Sequence, residues 1–165
     1  MIFVCTGIVI LSGLCGYIYS NRYVSKVKFC NDLIDFCHFL EVNINFSQDK
    51  LPQLFNSFCQ NKKSHLIELL KSFSNIKFKT SNFTALKRND LLFPEFISEQ
   101  FKIEIYNFLN GLGNVDATSQ ITSIKNYIEK FKIEQKKSQE EKNKNATLAY
   151  KLSIGFGLIL AIIIF

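Results

Sequence analysis

Tryptophan is absent from this sequence, and its 165 residues include only two prolines, seven glycines, two histidines and one methionine. Chain breakers this sparse exclude a design of many short strands joined by turns and favour long helices. With 17 phenylalanines, the core of those helices should be aromatic. Arginine is equally scarce: Arg22 and Arg88 are the only two, so the Arg-rich stripe of a nucleic-acid-binding surface is missing and no nucleic acid is expected as a partner. Charge is absent altogether from two stretches. All 20 basic and 14 acidic residues lie between Arg22 and Lys151, leaving residues 1–21 and 152–165 uncharged. Two such stretches exclude the ordinary single soluble domain, and the roughly 130 residues between them suffice for one compact domain but not two.

Several chemical signatures are also missing. No GxxxxGK[ST] or GxGxxG phosphate loop occurs, and neither a CxxC nor an HxxxH pair is present. Gly111 and Gly113 follow a helical pattern instead of a strand, which suits a helix C-cap better than a nucleotide site. Cys30, Cys37, His38, Cys59 and His65 could be imagined as metal ligands. Cys37 and His38, however, are neighbours pointing about 100° apart on a helix, which sets up neither zinc geometry nor a nucleophile pair. No catalytic residue, no metal and no cofactor is therefore expected. All five cysteines read as small apolar side chains, Cys5 and Cys15 within the first uncharged stretch and Cys30, Cys37 and Cys59 in a reducing compartment.

What is present begins with the uncharged stretches. Met1 to Asn21 would extend roughly 31 Å as a helix and Leu148 to Phe165 roughly 27 Å, close to the thickness of a bilayer's hydrocarbon core. Residues 1–21 and 148–165 are expected to be transmembrane helices. Nothing basic precedes the first and no small-x-small site follows it, which favours an uncleaved anchor over a signal peptide. Tyr17, Tyr19 and Tyr150 would lie at headgroup level, with Lys151 snorkelling to the interface. Arg22, Lys26 and Lys28 follow the first apolar stretch, and Lys142, Lys144 and Lys151 flank the second. Positive charge on the inner side then puts residues 22–147 in the cytoplasm and both ends of the sequence opposite, with membrane lipids as partners.

Between the spans, Cys30, Leu33, Cys37, Leu40 and Ile44 recur every three or four residues and predict a helix over 24–46 that continues the first span. Pro52 fits the first turn of a short second helix with Leu54, Phe55 and Phe58. Ser64 is the expected N-cap of a third, ending near Asn75. A short helix is expected over Asn82 to Asn89. Ile97, Phe101, Ile105, Phe108, Leu109 and Leu112 then form one stripe ending at Gly111-Leu112-Gly113. Asp116 starts a final helix expected to run unbroken into the membrane, its residues 134–147 forming a solvated stalk with Lys136/Glu140 and Glu140/Lys144 pairs. The expected fold is all-α: a small antiparallel helical bundle flanked by two transmembrane helices. Glu41 stands out on the apolar side of its helix, either as a half-buried acid paired with a lysine, the favoured reading, or as part of a partner surface.

An early L-E-x-x-I (Leu40, Glu41, Ile44) followed by Leu51, then a late F-x-x-x-L-G-x-x-D-x-x-x-Q-x-x-x-I (Phe108, Leu112, Gly113, Asp116, Gln120, Ile124), and a K-L-x-x-G tail (Lys151, Leu152, Gly155) resemble the stage III sporulation protein AB family of endospore-forming bacteria. The resemblance covers nearly the whole chain and is weakest over 62–94. It implies a helical domain similar to the cytoplasmic domains of type II secretion F proteins, without catalysis. It further implies a place in the mother-cell membrane facing the forespore, within a transenvelope channel complex. The partners so implied are a cytoplasmic secretion-type ATPase and other channel proteins, with self-association left open. A membrane-anchored signalling or sensor protein acting through its long last helix is the alternative.

Overall fold

A computed structural model describes residues 2–46, 50–60, 62–79, 91–146, 148, 151–153, 155–156 and 159. Among them are five α-helices, one π-helical turn and no strand, the all-α class that the rarity of proline and glycine predicts. The chain divides into two compact units, one of residues 29–134 and one of residues 1–28 with 135–165.

The 29–134 unit is assembled around phenylalanine. α1 (Ile2–Phe46) runs without a break, and its lower half contributes Phe29, Cys30, Leu33, Phe36, Cys37 and Leu40, all buried at three- to four-residue spacing. α2 (Leu51–Cys59) carries Pro52 in its first turn, where a missing N–H costs nothing because that donor has no intrahelical partner. Phe36 sits between Phe55 and Phe58 at 5.1 and 5.0 Å, and Phe55 stacks on Phe73 of α3 (His65–Lys79) at 5.5 Å. Burial of each such ring stabilises by roughly 1.5–3 kcal/mol, and ring pairing adds to it. α3 runs four residues past its expected end, since Ile76 and Phe78 still pack against the core. The short helix expected over Asn82 to Asn89 lies outside the described residues.

α4 (Glu99–Gly111) starts where the Ser98 hydroxyl accepts the Phe101 N–H at 3.4 Å. The whole predicted stripe, Ile97, Phe101, Ile105, Phe108, Leu109 and Leu112, is buried. α4 and α5 (Ala117–Glu141) are antiparallel: Phe101 meets Phe131 at 5.7 Å and Phe108 meets Tyr127 at 5.1 Å, so rising numbers on one helix face falling numbers on the other.

In the other unit the start of α1 and the end of α5 also run antiparallel. The Lys26 ammonium meets the Glu141 carboxylate at 2.9 Å, and the Tyr23 hydroxyl shares a hydrogen bond with the Asn145 side chain. Two expectations are corrected here. The stalk is not solvated on all sides: Ser138 is buried, because its small side chain lets the helix pack closely on that face, and the ion pair formed is Lys26–Glu141. Nor does the last helix stay regularly α-helical, because Lys142–Ala146 forms a π turn. The local sequence explains this, since Asn143 and Asn145 have weak helix propensity and side chains engage them, the Gln139 amide donating to Oδ1 of the Asn143 side chain at 3.1 Å.

Among the described residues no helix is long and apolar enough to cross a membrane. Residues 1, 147, 149–150, 154, 157–158 and 160–165, on which parts of the expected spans fall, lie outside them, as do the side chains of 2–6, 8–9 and 15.

Candidate functional site

Four of the residues singled out by sequence, Leu112, Gly113, Asp116 and Gln120, meet at one corner of the 29–134 unit, between the end of α4 and the start of α5. The corner begins with Leu112, an extended residue whose N–H donates to the Leu109 carbonyl at 3.3 Å and whose side chain is buried. Gly113 follows at φ +83°, and a Cβ there would lie 2.7 Å from Cδ1 of Leu51. The left-handed backbone favours glycine here, and any larger residue would also have to displace the Leu51 side chain. The Gly113 N–H donates to Oε1 of Gln120 at 3.1 Å, which satisfies a buried side-chain amide that would otherwise be costly. Asp116 then caps α5, accepting the Ser119 N–H at 3.0 Å. That bond and the Ser119 hydroxyl hold the Asp116 carboxyl below its ordinary pKa.

The carbonyls at the end of α4 meet a cation. Lys77 reaches from α3 and donates to the carbonyls of Leu112 at 2.9 Å and Asn110 at 3.2 Å, with that of Leu109 at 3.5 Å. Its ammonium lies 5.3 Å from the centre of the Phe73 ring. A cation at a helix C-terminus complements both the last carbonyls and the macrodipole, while partial burial lowers the pKa of Lys77. Sequence reasoning missed this residue. The usable signal was its spacing of four from Phe73, which turns it toward the core side of its helix.

Glu41 joins the first motif to the same neighbourhood. Its Oε2 lies 3.4 Å from Nδ1 of His38 and its Oε1 3.6 Å from the Lys125 ammonium. The pairing with a lysine is thus present, and it lies across helices. Leu40 is buried and Ile44 packs against the core. Glu41 against Lys125 and Leu51 against Gly113 bring together sequence clusters some seventy residues apart.

Reactive chemistry has no comparable arrangement. Cys30 and Cys37 are fully buried, and burial drives the Cys37 thiol far above its usual range while His38 faces solvent on another side. An open groove of about 520 Å³ is lined by Phe55, Asn56, Cys59, Lys71, Ser74 and Asn75, among others. Burial raises the Cys59 thiol too, against the opposing pull of Lys71 and Lys62, so it is no activated nucleophile. Among the described residues no group of three His, Cys, Asp or Glu is placed to hold a metal ion.

Comparison with known proteins gives one match. No curated protein and no solved structure matches the chain. The family described as stage III sporulation protein AB matches over residues 1–165, the full length that carries the corner motif, the bundle and both apolar stretches. The chain therefore belongs to the stage III sporulation protein AB family, and its role lies in sporulation.

Proposed function

We propose that this protein is a non-catalytic platform that spans the mother-cell membrane twice, with residues 22–147 in the cytoplasm. There it docks a secretion-type ATPase and other proteins of a channel complex between mother cell and forespore. The observation that carries this reading is the use to which the motif residues are put. Gly113, Asp116 and Gln120 direct their hydrogen bonds into the α4–α5 corner, and Leu40, Phe108 and Leu112 are core. Residues of an active site would instead leave polar groups converging on a cleft. A rigid corner is what a docking platform needs, because a preorganised surface loses little entropy on binding.

The anchoring part of the proposal is supported by exposure. Ile10, Leu11, Leu14, Tyr17 and Ile18 on one helix are each more than half exposed, as are Leu148, Leu152, Phe156 and Ile159. Apolar belts of this kind are stable against lipid and unfavourable against water.

Val115 in the turn and Val42, which follows Glu41 in α1, are exposed apolar side chains, and they are the docking contacts we assign. Co-purification of the full chain with the ATPase encoded beside it tests the assignment. Val115→Asp and Val42→Asp should weaken capture, while Ile133→Asp on an exposed face of α5 should not. Failure of the wild-type chain to capture the ATPase, together with normal sporulation in a deletion strain, would refute the docking role.

A further inference from the structure

The whole formal net charge of +6 belongs to one unit. Residues 1–28 and 135–165 contain eight basic and two acidic residues, whereas 29–134 contain twelve of each. The structure also fixes the level of these charges along the helix pair. Tyr23 shares a hydrogen bond with Asn145, and Lys26 pairs with Glu141, so Arg22 and Lys144 stand at about the same height, directly beyond the uncharged residues 1–21. Lys28 lies only about 9 Å further along α1, within a Debye length at physiological salt. Arg22, Lys28, Lys144 and Lys151 are exposed and Lys142 is half-buried. Of the two acids, Glu141 is neutralised by Lys26, whose own ammonium is buried.

These cations border the exposed apolar belt of Leu14, Tyr17, Ile18, Leu148 and Leu152. A partner for both surfaces has to present anionic groups immediately beside hydrocarbon. Nucleic acid has the phosphates without the hydrocarbon, and an acidic peptide does not supply a belt of it. A phospholipid leaflet supplies both. We propose that Arg22, Lys28, Lys142, Lys144 and Lys151 form a collar that binds the phosphates of anionic phospholipid headgroups and enriches such lipids around the protein. The collar rests on the reading of residues 1–21 and 148–165 as membrane spans.

Full-length protein reconstituted into phosphatidylcholine bilayers, with a trace of spin-labelled phosphatidylglycerol or spin-labelled phosphatidylcholine, separates the two claims. Lipid held at the protein surface gives a motionally restricted component in the electron paramagnetic resonance spectrum. The anionic label should be enriched over the zwitterionic one by roughly fivefold, on the order of one basic side chain's attraction, and less at about 1 M salt. Replacing Arg22, Lys28, Lys142, Lys144 and Lys151 together by Gln should bring the two labels to parity, with the restricted phosphatidylcholine component unchanged. Equal restriction of both labels by the wild type would overturn the collar and leave the spans standing. No restricted component with either label would overturn both. Loss of the preference on adding inorganic phosphate or a polyglutamate peptide at constant ionic strength would assign the cations to a soluble anion and overturn the collar.

Discussion

The two units of this protein are held together by opposite means. Residues 29–134 are charge-neutral in sum and owe their cohesion to buried rings and leucines, with Phe36, Phe55, Phe73 and Phe131 excluded from solvent. Residues 1–28 and 135–165 carry the entire net charge, expose most of the large apolar side chains described there, such as Ile10, Leu14, Tyr17, Leu152 and Phe156, and bury Lys26 and Ser138. One unit can fold by removing apolar surface from water. The other has put that surface outside, so its stability depends on what surrounds it. A self-sufficient domain and an environment-dependent one have been built on the same two long helices.

The sharpest way to break this contrast is in the aromatic core. Phe131→Ala should destabilise the 29–134 unit by about 3–5 kcal/mol, since the ring is fully buried against Phe101 and Phe108. Hydrogen exchange of α4 and α5 in the full chain should accelerate accordingly, and unchanged protection would show that the rings do not carry the unit. Gly113→Val should cost about 3 kcal/mol, combining left-handed backbone strain with the clash on Leu51, and urea unfolding would register it. In the other unit, a double-mutant cycle on Lys26→Met and Glu141→Gln should give a coupling of about 1 kcal/mol by thermal unfolding of the helix pair, without altering exchange in α4. Lys62→Ala removes an ammonium 3.9 Å above the Phe58 ring and should cost about 0.5 kcal/mol, far less than Gly113→Val.

The smallest effect is titratable. The Asp116 carboxyl has a lower pKa in the folded chain than its ordinary 3.8, so its cap on α5 contributes fully above the unfolded value and is lost as pH falls through the lower folded one. Asp116→Asn, which keeps the cap without the charge, should flatten this acid-side dependence in unfolding measured between about pH 5 and 2. An unchanged profile would remove Asp116 as its source.

Much of the 29–134 unit was legible because its signals are local. The three- to four-residue recurrence of Cys30 to Leu40 and of Ile97 to Leu112 reports burial directly, and Pro52, Gly113 and Asp116 mark helix ends by their own local chemistry. Lys77 was illegible because its three acceptors lie more than thirty residues away. The stalk was misjudged for the same kind of reason. A polar stretch such as 134–147 looks solvated until a partner helix offers Lys26 to Glu141 and a surface to cover Ser138. Of the candidate site, the individual residues of both motifs could be read, but not their meeting, which depends on the contacts of Glu41 with Lys125 and of Leu51 with Gly113.

The π turn at Lys142–Ala146 acts as a phase shifter. A turn of this kind takes in one residue more than a regular helical turn, and one residue corresponds to about 100° of azimuth. The described helical residues beyond it, such as Leu148, Leu152 and Phe156, are therefore offset by that amount from the direction an uninterrupted α-helix would give them. Deleting the single residue Asn143 would restore the regular winding and swing exposed Leu148, Leu152 and Phe156 around by about 100° relative to α1, with no change in composition.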